Sequence, residues 1–143
     1  MNTAFDEIVA LDTNEYIHAI RAGDLYPACR RLIFESLHLL QLHFPFQVQT
    51  ELRRNLTDEE MAIALRALKA AQRIIWSYDV PPVKRIRFWE SQGAKKGDAV
   101  ICAALEAANV KFLISENRHF LAQIESLPFQ VLSAEQFLDL LLA

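Results

Sequence analysis

Glycine is scarce in this chain, with three among 143 residues. Hydrophobic residues make up 52% and charged residues 23%, so a disordered or fibrous protein is excluded. Cysteine is almost absent too. Cys29 and Cys102 stand far apart without C-x-x-C spacing, which points to a reduced, cytoplasmic setting with both thiols as small core residues. No stretch approaches the ~20 apolar residues of a membrane span, and no membrane partner is expected. The first apolar run, IVAL, is too short for a signal peptide and has no basic flank.

Positive charge is lacking overall. The net charge is −3, which gives no global attraction to nucleic acid. Locally the balance reverses: between Tyr78 and Gly97 stand Lys84, Arg85, Arg87, Lys95 and Lys96 against only Asp79 and Glu90. Such a run is ordinarily a solvated face. The chain holds no G-x-S-x-G, P-loop or G-x-G-x-x-G pattern, so a serine hydrolase, an NTPase and a dinucleotide enzyme are poorly supported. His18, His38 and His43 show no H-E-x-x-H spacing and are read as structural. A length of 143 residues suits one domain, spanning 1–143, with a sizeable core.

Short apolar runs alternate with helical patterns. Residues 8–11 read as a strand buried on both faces, followed by Asp12-Thr13-Asn14 and a helix that Gly23 ends. Asp24 is placed to cap a second helix through LYPACRRLIFESL. Residues 39–44 read as a second strand, with Pro45 at the start of the next helix. Thr57 and Glu60 form a capping-box pattern opening a long helix through DEEMAIALRALKAAQRIIW, which the prolines of YDVPP break. A basic, aromatic stretch precedes the helix DAVICAALEAAN. VKFLIS is then a strand, QVLS another, and Ser133 with Gln136 caps a last helix. Hairpin signals are absent. The fold class is therefore α/β: a three-layer α/β/α sandwich with a mostly parallel central sheet.

Open parallel sheets collect ligands outside the carboxyl ends of their strands. That rule selects Asp12 after the first strand, Ser115 and Asn117 after VKFLI, Asp98 at the start of its helix, and Glu51 one or two turns into the helix after the second strand. Strand alternation puts Ser115 and Asn117 on one side and Glu116 on the other. Taken singly, Asp12 and Asp98 also suit helix N-termini, and Glu51 a solvated helix face. Together they have a cost, because two carboxylates ~4 Å apart repel by about 4 kcal/mol at an effective dielectric of 20. Converging acids imply a compensating cation, and hard oxygen donors favour Mg²⁺ or Mn²⁺.

The ordered set IVALDTNEYI, TELRRNL and KKGDAVICAALEAANVKFLISENRHF resembles the PIN domain, the nuclease fold of VapC-type toxins and related ribonucleases. The likeness covers nearly the whole chain. It implies a metal-dependent endoribonuclease whose acidic ligands fall on Asp12, Glu51 and Asp98, with Thr13, Asn14 and Ser115 orienting them. The family's fourth acid falls on Asn117, which keeps an oxygen ligand but gives up a charge. That departure puts a second ion in doubt and leaves open a domain that binds RNA or a protein without cleaving. The resemblance also implies an RNA substrate, a small antitoxin partner and a homodimer. Arg53, Arg54, Lys84, Arg85, Arg87, Lys95, Lys96 and Arg118 are candidates to hold the RNA backbone. Phe88 and Trp89 are candidates to stack on bases, core packing being the better reading for at least one. His119 is read as a surface or cap residue.

Overall fold

The computed structural model describes residues 5–117, 121–122 and 124–142. Five strands form one sheet: β1 (Ile8–Leu11), β2 (Gln41–Phe44), β3 (Arg73–Trp76), β4 (Phe112–Ile114) and β5 (Gln130–Leu132), in the order β3-β2-β1-β4-β5. Every pairing is parallel. Seven helices connect and flank the described strands: α1 (Thr13–Arg21), α2 (Pro27–Arg31), α3 (Phe46–Asn55), α4 (Asp58–Leu68), α5 (Val83–Ser91), α6 (Lys96–Ala107) and α7 (Ala134–Leu141).

Alternation along β1 divides the interior in two. Val9 and Leu11 join Leu42, Phe44 and Ile114 in a cluster with side chains from α1, α3, α4 and α7. Ala10 and Leu113 join Trp89 and the apolar face of α6, including Ile101, Cys102 and Leu105. Successive strand residues point to opposite faces, and both faces are covered by helices. This is the three-layer α/β/α arrangement, and it explains why the strands read as continuous apolar runs. No helix among the described residues is long and apolar enough to cross a membrane.

Local chemistry sets most boundaries. Both expected capping boxes are present. Thr57 Oγ1 accepts from Glu60 N and Glu60 Oε1 from Thr57 N, and Ser133 and Gln136 repeat the exchange at α7. Pro45 stands at the N-cap of α3. Asn109, just past α6, adopts φ 57°, a left-handed conformation that asparagine tolerates better than most residues. Arg21 locks α1 to the α3–α4 corner through two bonds of 2.7 Å to Glu60 and one of 2.6 Å to the Asn55 carbonyl.

Three expectations are corrected. The helix opened by Thr57 ends at Leu68, and Arg73–Trp76 is the edge strand β3. Ala70 and Ala71 turn the chain there. Ile74, Ile75 and Trp76, β-branched and aromatic, then prefer the pleated edge of β2 to a further helical turn. Asp24 does not cap the second helix. α2 begins at Pro27, whose missing N–H costs nothing in a first turn. The helical path beyond Arg31 continues as a π turn over Leu32–Ser36 and a 3-10 turn over Leu37–Leu39.

Candidate functional site

The strand order reverses at β1, since β2 lies on one side of it and β4 on the other. The crevice outside the carboxyl ends of β1 and β4 is therefore the topological switch point, where open α/β sheets bind ligands. Leu11 pairs with Ile114, so the next residues, Asp12 and Ser115, emerge beside each other. Ser115 Oγ donates to Asp12 Oδ2 at 3.0 Å, while Asp12 Oδ1 accepts from Thr13 N at 2.8 Å as the N-cap of α1. Ser115 Oγ also accepts from Asn117 N at 3.2 Å.

Thr13, buried in the first turn of α1, reaches across to α3. Its Oγ1 donates to Glu51 Oε2 at 2.5 Å, and Gln47 Nε2 donates to Glu51 Oε1 at 3.0 Å from one turn earlier on the same helix. Asp98 lies in the first turn of α6, next to Lys95 at its N-cap. Burial raises the Asp12 carboxyl above its ordinary value. The bonds from Ser115 and Thr13 counteract this, and the charges of Glu51 and Asp98 add to it. The Asp98 carboxyl is also raised, first by burial, with Lys95 opposing and Glu51 adding. Mutual repulsion of this kind is what a bound cation would relieve.

The fold thus brings Asp12, Glu51 and Asp98 into one electrostatic neighbourhood, with Thr13 and Ser115 bonded to two of them. Asn14 is exposed on α1 and makes no hydrogen bond to these carboxylates. Asn117 is exposed at the rim after β4. Arg53, Arg54, Lys84, Arg87, Lys95 and Lys96 are exposed. Arg85 is committed within the fold: its guanidinium grips Glu106 of α6 at 2.8 and 2.6 Å and lies over the Phe88 ring at 4.2 Å. Trp89 is core, 2% exposed, whereas Phe88 is 36% exposed, so of the two only Phe88 has a face for a base. Arg118 and His119 lie outside the described residues.

Sequence reading missed a second group. Glu15 of α1, Cys29 of α2 and Glu116 after β4 bring ligand atoms within 4.8 Å of one another, a distance that Asp12, Glu51 and Asp98 do not meet as a trio. Cys29 Sγ donates to Glu15 Oε2 at 2.8 Å and approaches Glu116 Oε1 at 3.3 Å. Glu116 Oε1 also accepts from Ala134 N at 2.9 Å, so Glu116 is directed at α2 and α7. Glu15 is wholly buried, and burial lifts its carboxyl to about 8. Burial, with the Glu15 carboxylate next in effect, lifts the Cys29 thiol far above its ordinary value. The available sequence signal was the i, i+3 spacing of Asp12 and Glu15, which puts a second acid one turn behind the first.

No family model matches the chain, and no curated protein matches it in sequence. Solved structures do match in fold. VapBC2 from Rickettsia felis, bound to a DNA fragment from its promoter, aligns at 16% identity over 88% of this chain and 98% of that one, with a TM-score of 0.60. FitAcB from Neisseria gonorrhoeae aligns at 15% identity over 89% and 98%, with a TM-score of 0.57. PAE2754 from Pyrobaculum aerophilum aligns at 16% identity over 95% and 96%, with a TM-score of 0.53. At such identities the likeness is one of fold. The chain has the PIN-like α/β/α fold.

Proposed function

We propose that the chain, as a single domain over 1–143, is a metal-dependent endoribonuclease acting as the toxin of a type II toxin–antitoxin pair in the cytoplasm. The observation that carries this reading is the meeting of Asp12, Glu51 and Asp98 at the switch point of a PIN-like sheet, where Glu51 and Asp98 raise the Asp12 carboxyl and Glu51 raises that of Asp98. The donor set fits a hard divalent ion, Mg²⁺ or Mn²⁺, because all three groups offer carboxylate oxygens. Such an ion, when bound, supplies Lewis acidity toward a phosphate and lowers the pKa of water.

The chain's own residues do the rest. Ser115 and the Thr13 amide fix both oxygens of Asp12, leaving each oxygen a further lone pair for a ligand. Thr13 and Gln47 do the same for Glu51. Lys95, beside Asp98 and exposed, would meet a substrate phosphate at the rim. Arg53, Arg54, Lys84, Arg87 and Lys96 would hold the flanking backbone, Phe88 would offer a stacking face, and Arg85 would contribute through its grip on α6. Asn117, an amide where the family places an acid, would tune the site by offering an oxygen without adding a fourth charge. The antitoxin and homodimer readings draw on the VapC-type resemblance and on the likeness to VapBC2 and FitAcB.

The test is cleavage of labelled single-stranded and structured RNAs by the purified protein with Mg²⁺, Mn²⁺ or EDTA, beside Asp12→Asn and Asp98→Asn. Metal-dependent cleavage lost in both variants supports the enzyme. A folded protein that neither cleaves nor binds Mn²⁺ overturns it. The second reading, a PIN-like module that binds RNA or a partner without cleaving, rests on Asn117, and RNA retention without turnover would favour it.

A further inference from the structure

We propose that Glu15, Cys29 and Glu116 form a second cation site, distinct from the Asp12 site and suited to a borderline-soft divalent ion of the zinc class. It goes beyond the nuclease reading and does not depend on it.

With its carboxyls ionised, this trio cannot close its own polar accounting. Cys29 has one thiol proton, yet its sulfur lies within bonding distance of oxygens from two carboxylates. Glu15 is 0% exposed, and its Oε1 has no hydrogen-bond partner. The neighbouring Glu116 carboxyl can bond to Glu15 only through a shared proton. A buried oxygen without a donor is costly, and a cation set among the three groups would satisfy it and compensate the charges.

Donor type selects the ion. A thiolate beside carboxylates discriminates against Mg²⁺ and favours zinc and its relatives. Zinc bonds of about 2.3 Å to sulfur and 2.0 Å to oxygen hold S and O about 3.5 Å apart in a tetrahedron. The Cys29–Glu116 separation of 3.3 Å is already near that value, and the Cys29–Glu15 separation of 2.8 Å would open slightly. Three protein ligands leave one position open. An entry route is available, because Cys29 and Glu116 line an open groove of about 1290 Å³ together with Ser115 and Asn117. An ion there would tie α1, α2 and the segment after β4 together, and through Ala134 N the start of α7. Two of these segments carry Asp12 and Ser115, so the second site would brace the first from behind.

Metal-stripped full-length protein is titrated with Co²⁺ as a spectroscopic probe, with Zn²⁺ as competitor. One equivalent should give a thiolate-to-cobalt charge-transfer band that Zn²⁺ displaces and Mg²⁺ does not. Cys29→Ser should abolish the band. Glu15→Gln and Glu116→Gln should weaken binding by more than the roughly tenfold to hundredfold that losing an orienting partner costs. Cys102→Ser should leave band and affinity unchanged, each variant being checked for folding by circular dichroism. If Cys29→Ser does not fold, the partly exposed Glu116 carries the test through Glu116→Gln. Absence of the band in the wild-type protein, its survival in Cys29→Ser, or its loss in Cys102→Ser overturns the proposal. RNA cleavage without a cobalt band would retain the nuclease and remove this site, whereas a band without cleavage would do the reverse.

Discussion

Ser115 Oγ and Asp12 Oδ2 are 3.0 Å apart although 103 residues separate them in sequence. The parallel register that pairs Leu11 with Ile114 makes them neighbours, and the Asn117 amide holds the same hydroxyl from the other side. Ser115 is thus a positioning residue for Asp12. Ser115→Ala should cost about 1 kcal/mol of stability for the lost hydrogen bonding. It should weaken Mn²⁺ binding about tenfold to a hundredfold, as loss of an orienting partner typically does. Calorimetry on the folded variant checks this, and unchanged affinity would mean that Asp12 needs no such support.

The raised Asp12 carboxyl carries a stability prediction of definite sign. In metal-free protein the folded state holds this proton more tightly than the unfolded chain, so stability falls as pH rises from the ordinary carboxyl value through the raised one. Asp12→Asn keeps an oxygen for the Thr13 amide and removes the charge. In EDTA it should therefore be more stable than the wild-type protein above that window and equal to it below. Divalent metal should reverse the order. Urea midpoints across pH, with and without Mn²⁺, test both halves.

Most of this framework was legible because the signals were local. Asp12 and Ser115 follow from apolar runs that stop abruptly at polar residues, Asp98 from the start of an apolar helix, and both capping boxes from three-residue spacings. β3 was hidden because ALKAAQ continues a helical pattern up to Arg73, and only pairing with β2 gives Ile74 and Ile75 a better place. Arg85 looked like a phosphate contact because Glu106, its partner, is 21 residues away on another helix. The Glu15–Cys29–Glu116 group spans three separate elements, and the i, i+3 spacing of Asp12 and Glu15 announces one member of it and not the other two. Only the packing of α2 between α1 and α7 brings it together.

Adjacent aromatic residues on α5 should behave oppositely. Trp89 is fully enclosed by the α6 side of the core, and Trp89→Ala should cost about 3–5 kcal/mol through the cavity it leaves. Phe88 is partly open and lies under the Arg85 guanidinium. Phe88→Ala should cost much less stability and should weaken RNA binding by about 1–3 kcal/mol if the ring stacks on a base. Denaturation curves and RNA affinities measured on both variants separate the roles. Strong RNA loss without stacking geometry at Phe88, or none at all, would move the nucleic-acid face elsewhere.

Gly97, next to Asp98, invites the assumption that the site requires a glycine. A Cβ placed there meets nothing within 4 Å, and the residue lies in the first turn of α6. Gly97→Ala should therefore stabilise the protein by roughly 0.5–1 kcal/mol through a less flexible unfolded chain and better helix propensity. Thermal melting gives the answer. A loss of cleavage with a raised melting temperature would show that substrate, not the fold, needs the space above Asp98.

Glu15 sets the largest pH effect expected of the described carboxyls. Its carboxyl moves from an ordinary 4.5 to about 8 on folding, so the proton is bound more tightly in the native state. The resulting stability is complete below about pH 4.5 and is lost progressively as pH rises toward 8, levelling off beyond it. Glu15→Gln has no such proton to lose and should show a flatter profile, crossing above the wild-type protein near neutrality. A cation bound at Glu15, Cys29 and Glu116 inverts the dependence, because its ligands must be deprotonated. Zinc should therefore stabilise the wild-type protein more at pH 8 than at pH 6, and should do little for Glu15→Gln. Chemical denaturation at the two pH values, in EDTA and in excess zinc, yields four wild-type numbers. A wild-type profile as flat in EDTA as that of Glu15→Gln would show that Glu15 is not held protonated by burial.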